Sequence, residues 1–318
     1  MMPRLDRREF LAAATAASAA LGLGGTAHAA PWKTRIHKAL IGVPDEPTLE
    51  SWKAAGFEGY ESTDRGASPA KAEAARKLAE KHGLRIHSVM YGWANFNHPE
   101  KVAADLASVE TSLRAANAFG ADTVLLVPCR IDNKGPKPWL FDIRFDETTG
   151  RLKQVVAGDN AEHAEYIATH NRSAEAARDA VRRLIPTAEK LGVIIALENV
   201  WNNMWVQPEF FRHFVAQFDH PQVRAYFDIG NHVKYVVPEK WIRTLGKLIV
   251  KCHVKDFKLN GDGHDGKFVN IRDGSVNWPE VRKALDEIGY NGWASIEGSE
   301  KLSASERGKR FDLILEGK

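Results

Sequence analysis

Cysteine is nearly absent from this chain. Its 318 residues hold two, Cys129 and Cys252, too few for a disulfide framework in any compartment. Both read as small buried hydrophobes rather than as partners in a bridge. Charge of one sign is also lacking. Lys and Arg number 44 against 41 Asp and Glu, for a net charge of +3, and no long basic run follows the N-terminus. That balance leaves no electrostatic footprint for nucleic acid. No run of about 18 apolar residues suggests a permanent membrane anchor. Nor does a Gly-x-Gly-x-x-Gly fingerprint open a helix after the first strand, which disfavours a dinucleotide-binding open sheet.

The first thirty residues differ from the rest. Arg4, Arg7 and Arg8 precede the Ala-rich run Phe10 to Gly25, and Ala27-His28-Ala29 offers a small-x-small cleavage site. This is the three-part layout of a secretory signal. Asp6-Arg7-Arg8-Glu9-Phe10-Leu11 also resembles the twin-arginine (Tat) signal. Residues 1–29 are therefore expected to address the chain to the Tat export machinery and to be cleaved. Residues 30–318 would form one periplasmic, exported domain.

From Pro31 onward, short apolar runs alternate with amphipathic stretches. Strands are expected at 39–43, 56–61, 85–90, 123–128, 193–198, 223–228, 248–254 and 293–297. Helices are expected at 48–55, 69–82, 99–119, 174–191, 208–217, 238–245, 278–288 and 304–315. Pro69 and Pro208 sit where the first helical turn needs no N–H. Gly83, Gly192 and Gly289 sit where a left-handed cap ends a helix. Eight such units in roughly 290 residues predict a single-domain (β/α)8 TIM barrel. Residues 130–172 break the rhythm. Runs at 140–146 and 151–156 flank Glu147-Thr148-Thr149-Gly150 and read as a β-hairpin inserted after strand 4. Such an insertion emerges on the barrel's active face, as a lid or as an arm for a homo-oligomer.

Polar residues end four otherwise apolar strands. Ile194-Ile195-Ala196-Leu197 runs into Glu198, Ala225-Tyr226-Phe227 into Asp228, Lys251-Cys252 into His253, and Ala294-Ser295-Ile296 into Glu297. In a barrel these tips share one mouth. Three carboxylates and an imidazole there call for one divalent cation. The oxygen-rich set with one nitrogen favours Mn²⁺ or Mg²⁺, with Co²⁺ and Zn²⁺ as alternatives. Each acid taken alone could equally cap a helix or pair with a lysine.

Leu197-Glu198-Asn199, Phe227-Asp228-Ile229-Gly230-Asn231, His253-Val254-Lys255-Asp256, Asp273-Gly274-Ser275-Val276-Asn277-Trp278 and Ser295-Ile296-Glu297-Gly298 resemble the sugar phosphate isomerase/epimerase family, xylose isomerase-like TIM barrels. The resemblance implies one divalent metal, commonly manganese, held by Glu198, Asp228, His253 and Glu297. It implies a sugar substrate flanked by Glu198 and Glu297 as acid and base. The reaction would be isomerisation or epimerisation of a keto-sugar through an enediolate, or a related lyase or hydratase step. Ketohexose 3-epimerases of the family carry a histidine where this chain has Asn231, and an arginine where it has Leu259. Exported relatives are associated with breakdown of 3-keto-glycosides. Two rival readings remain: a non-catalytic periplasmic sugar-binding barrel, and an endonuclease IV-like enzyme, which would need several more histidines at strand ends.

Further residues are expected around the mouth. Lys255 follows His253 by two, so strand alternation turns it the same way, where its charge could steady an enediolate. Lys251 lies deeper and reads as structural. Glu61, His87, Trp93, Trp201, Asn199 and Asn231 are candidate substrate-binding residues. For Asn199, Asn202 and Asn231 the alternative is orienting the ligands; for His87 it is a hydrogen-bonded core position. Trp139 and Trp205 occur in post-strand loops. His232 and His264 read as solvated loop residues.

Overall fold

The computed structural model describes residues 32–132 and 135–318; the expected export signal lies outside them. Eight parallel strands close into a barrel: β1 (Ile36–Gly42), β2 (Gly59–Ser62), β3 (Arg85–Trp93), β4 (Thr123–Val127), β5 (Ile194–Glu198), β6 (Val223–Asp228), β7 (Ile249–Val254) and β8 (Gly292–Ile296). Strand β8 returns to β1, pairing Ile36 with Gly292 and Ala39 with Ser295. No edge is left unpaired.

Each strand is followed by a helix: α1 (Glu46–Ala54), α2 (Pro69–Lys81), α3 (Pro99–Phe119), α4 (Ala164–Leu191), α5 (Pro208–Ala216), α6 (Pro238–Leu245), α7 (Trp278–Glu287) and α8 (Ala304–Leu315). Their starts follow local chemistry. Asp45, Ser68, Asn277 and Ser303 accept the orphan N–H groups of Thr48, Lys71, Glu280 and Glu306. Gly120 and Gly192 end α3 and α4 at φ 73° and 65°, the left-handed cap that favours glycine.

Two apolar clusters follow from period-2 alternation. Leu125, Val127, Ala196 and Tyr226 fill the lumen. Their strand neighbours Val124, Leu126, Ile195, Leu197, Ala225 and Phe227 face outward into the large layer beneath the helices. Ala196 and Tyr226 each lie two residues before an acid, so Glu198 and Asp228 inherit the inward direction one layer nearer the mouth. Cys252 alternates outward, and both cysteines are buried free thiols.

Helix α4 begins ten residues before the expected Ala174. Polar residues mask its first turns, yet Tyr166, His170, Asn171 and Ser173 are all buried there. Asn171 grips the insertion, accepting the Leu152 N–H at 2.7 Å and donating to the Leu152 carbonyl at 3.0 Å. The inserted hairpin pairs Arg144–Phe145 with Leu152–Gln154. It docks on the barrel's flank, Phe145 stacking on Phe210 of α5 at 4.8 Å. A second hairpin, Asp256–Leu259 with Gly266–Val269, follows β7 and was not expected. Its signal was present: alternating runs around the turn dipeptide Asn260-Gly261. Trp139, from the first insertion, stacks on His264 at the tip of the second with ring centroids 4.2 Å apart. Among the described residues, no helix is long and apolar enough to cross a membrane.

Candidate metal centre

Strands β5 to β8 bring Glu198, Asp228, His253 and Glu297 together, one ligand atom of each lying within 4.8 Å of all the others. Asp228 and His253 are direct partners in the β6–β7 ladder. Around His253 Nδ1 stand Glu297 Oε2 at 3.1 Å, Glu198 Oε1 at 3.5 Å and Asp228 Oδ2 at 3.8 Å. Lys255 closes the open side, its Nζ 3.0 Å from Glu297 Oε2 and 3.9 Å from Asp228 Oδ2.

The fold fixes which atom of each residue points inward. Asp228 Oδ1 accepts the backbone N–H groups of Gly230 at 2.8 Å and Asn231 at 2.7 Å, leaving Oδ2 for the cluster. Asn199 clamps the same strand end, accepting the Asp228 N–H at 2.7 Å and donating to its carbonyl at 2.9 Å. His253 Nε2 faces Glu61 Oε2 at 2.7 Å, and Ser88 Oγ donates to the other Glu61 oxygen at 2.7 Å. A carboxylate accepts, so Nε2 donates and Nδ1 is left for a ligand.

The electrostatics are those of a cluster short of positive charge. Burial pushes the Asp228 carboxyl well above the usual carboxylate range, with the neighbouring acids adding to it, and burial also raises Glu198. Burial works against charge on His253, but the charge of Glu61 and contacts with Glu198 and Glu297 outweigh it and raise its pKa. Asp228 Oδ2, His253 Nδ1 and Glu297 Oε2 are buried and make no hydrogen bond of good geometry. Orphaned polar atoms of this kind are uncommon. Three that converge, with hard oxygen donors and one imidazole nitrogen, fit a divalent cation.

Asp256, at the end of the same motif, turns away and anchors the loop before α7. It accepts N–H groups from Arg272 at 2.9 Å, Gly274 at 3.0 Å and Val276 at 3.3 Å, and the Trp278 indole N–H at 3.3 Å. A Cβ on Gly274 would lie 2.0 Å from Asp256 Oδ1, so glycine is required by close approach.

A family model described as xylose isomerase-like TIM barrel matches residues 49–311. This chain belongs to the xylose isomerase-like TIM barrel family. An uncharacterized protein of Methanocaldococcus jannaschii is 31% identical over 120 residues, 36% of this chain. That match spans 40% of the relative's length. Among solved structures, a 3-keto-D-glucoside 4-epimerase from E. coli is 16% identical, with a TM-score of 0.62 over 88% of this chain and 99% of that one. A xylose isomerase-like TIM barrel protein from Mycobacterium smegmatis in complex with magnesium is 20% identical, with a TM-score of 0.60 over 90% and 96%. At these identities the likeness is one of fold.

Within this xylose isomerase-like barrel, the remaining candidates divide. Glu61 is fully buried and reaches the mouth only through His253. His87 lies below it in the lumen, stacked on Trp293 at 4.8 Å and bonded to Ser295 Oγ at 2.9 Å. It is closed to a substrate, and burial holds its ring well below the usual histidine range. Asn199 and Asn231 turn inward onto backbone, Asn199 clamping Asp228 and Asn231 Nδ2 donating to the Asn199 carbonyl at 3.0 Å. Asn202 ties the Cys129 carbonyl at 3.2 Å. Trp93 stands at the rim, 41% exposed, with the Arg130 guanidinium 5.1 Å from its ring. Trp201 carries Lys234 Nζ 3.8 Å over its ring and meets Phe268 at 4.9 Å. Lys251 is structural as expected, paired with Asp122 at 2.8 Å.

His232 corrects its expectation. It is buried, contacts the Asn199 amide at 3.2 Å and packs on Trp241, and burial drops its pKa to about 3. A single polar residue in a post-strand loop carries no sequence sign of the indole that covers it. Lys234 and Phe268 were missed for the same reason. A groove of about 640 Å³ around Arg224 and Lys247 lies at the opposite end of the barrel from the cluster.

Proposed function

We propose that this protein is a divalent-metal-dependent enzyme that isomerises or epimerises a keto-sugar or sugar derivative through an enediolate, with elimination or hydration as related outcomes. The observation that carries this reading is the convergence of Glu198, Asp228, His253 and Glu297 on one point, with the Glu297 carboxylate partly open beside it. The magnesium-bound family structure and the keto-glucoside epimerase fold support it.

A cation held there would supply Lewis acidity to adjoining carbonyl and hydroxyl oxygens. The chain's own groups handle the proton. Glu297 is the more open carboxylate, its side chain 31% exposed against 9% for Glu198. Lys255 at 3.0 Å favours its ionised form, which suits it to take a proton from the carbon beside the carbonyl. Glu198 is the deeper carboxyl, and burial raises its pKa. Held in its protonated form it is placed to donate its own proton to another face or atom, while Glu297 keeps the one it took until both exchange with water. The Lys255 ammonium also faces the negative charge that develops on the substrate oxygens. Trp93, the exposed ring at the rim, offers a face for sugar C–H surfaces, while the Trp201 ring is covered by Lys234 and Phe268. We further propose that residues 1–29 direct export through the twin-arginine route, so that the substrate is met in the periplasm.

The test is proton exchange followed by NMR across free ketoses, inososes and 3-keto-glycosides, with Mn²⁺ or Mg²⁺ supplied. Glu297→Gln should abolish exchange and turnover while circular dichroism stays unchanged. Turnover undiminished in that variant would remove Glu297 from the mechanism.

A further inference from the structure

The second hairpin builds one contact that the proton-transfer scheme does not use. Alternation along its strands puts Phe257 and Phe268, direct partners in the ladder, on one face. That face meets Trp201, whose ring centroid lies 5.7 Å from Phe257 and 4.9 Å from Phe268, and the two phenylalanines meet edge-on at 5.2 Å. Beyond Phe268 stands Lys255, its Nζ 4.6 Å from the ring centre.

The ammonium is thus held between two unlike walls. On one side are Glu297 Oε2 at 3.0 Å and Asp228 Oδ2 at 3.9 Å. On the other is the face of an aromatic ring, which carries partial negative charge. The root of the side chain is fixed as well, since a Cβ on Gly230 would lie 2.8 Å from the Lys255 carbonyl oxygen. The ring is fixed in turn through Trp201. That indole N–H donates to the Asn231 carbonyl, and the Asn231 backbone N–H donates to Asp228 Oδ1 at 2.7 Å. Lys234 covers the same indole at 3.8 Å and pairs with Asp265, beside the hairpin's turn, at 3.4 Å. One indole therefore joins the hairpin face that meets the ammonium to the loop that orients Asp228.

We propose that Phe268 is the positioning residue of Lys255, its ring keeping the ammonium turned into the mouth without neutralising its charge. This rests on the reading of Lys255 as the cation that faces the developing enediolate. A lysine stem is flexible and its ammonium strongly hydrated, so left alone it turns toward water. A carboxylate in place of the ring would hold the ammonium by cancelling its charge. The ring attracts the cation through its quadrupole and leaves that charge available to the substrate oxygens. The hairpin is then part of the reacting site, not an ornament of its rim.

The test takes two readings on the full chain. In the metal-free protein, the Lys255 ε-CH2 signal in NMR, assigned by its loss in Lys255→Met, should lie upfield of the exposed lysines through the ring current of Phe268. That displacement should vanish in Phe268→Leu and persist in Phe268→Tyr, which keeps the ring. Phe268 is 39% exposed, so neither change opens the barrel's core. The second reading is calorimetric titration with acetohydroxamate, whose two oxygens carry the geometry and charge of an enediolate, at saturating Mn²⁺. Phe268→Leu should weaken its binding roughly 3- to 30-fold, Phe268→Tyr should leave it unchanged, and Phe268→Leu should cost nothing further once combined with Lys255→Met. A Lys255 signal at the position of an exposed lysine would overturn the proposal, as would an equal loss from Phe268→Leu with and without Lys255→Met. The NMR reading needs neither metal nor sugar, so its failure is separate from that of the enediolate reading, which Glu297→Gln tests.

Discussion

Glu61 and His253, 192 positions apart in sequence, meet inside the barrel with Oε2 and Nε2 2.7 Å apart. Glu61 thereby sets both the orientation of the ring and the nitrogen that faces the three acids. Glu61→Ala is expected to weaken divalent-metal affinity about 10–100-fold. Glu61→Gln, which keeps an acceptor, should do less. Competition against a chelator of known affinity measures both; unchanged affinity in Glu61→Ala would show that His253 needs no such support.

Lys255 has two acids to neutralise and a developing charge to face. Lys255→Met should lower kcat roughly 100-fold or more, the usual consequence of removing one positioned donor. KM should move little, because the charge forms during the reaction. A variant that changed KM alone would make Lys255 a ground-state binding residue.

His170 carries a pH prediction far from the mouth. It is fully buried, stacked on Phe210 at 5.0 Å, and burial lowers its pKa to about 3. Folded, it stays neutral; unfolded, it takes a proton below pH 6.5 or so. Its contribution is therefore complete above that pH and lost as pH falls toward 3. The slope is about 1.4 kcal/mol per pH unit. In urea unfolding, His170→Phe should flatten the acid limb by that amount relative to the native chain between about pH 6 and 4. Parallel limbs would contradict it.

Gly274→Ala should destabilise the fold by about 1–3 kcal/mol, since its Cβ would strike the Asp256 carboxylate. The shift is readable in the urea midpoint at constant slope.

Sequence made some of this legible and not the rest, for physical reasons. Helices α3, α6 and α8 run from Pro99 to Phe119, Pro238 to Leu245 and Ala304 to Leu315, as expected, because proline, glycine and serine mark their ends. The tips of β5 to β8 were readable because a closed barrel forces inward parity on one face. Depth along a strand was not. Glu61 and His87 both face the lumen, but a register shift between Tyr60 and Glu61 and the cover of Trp293 decide which of them reaches the cluster. Asn199 and Asn231 looked available to a sugar because their partners are backbone atoms, of Asp228 for Asn199 and of Asn199 for Asn231, which side-chain type does not reveal. The second hairpin has a weak signature in sequence because its strands, Asp256–Leu259 and Gly266–Val269, are only four residues each and begin directly after β7.

One measurement bears most directly on the account: metal content of the protein by elemental analysis after exhaustive dialysis, for the native chain and for Asp228→Ala. Four ligands converging on one point predict about one divalent ion per native chain and a small fraction of that in the variant. A native chain without bound metal that retains full activity would contradict it, as would equal metal content in the two proteins.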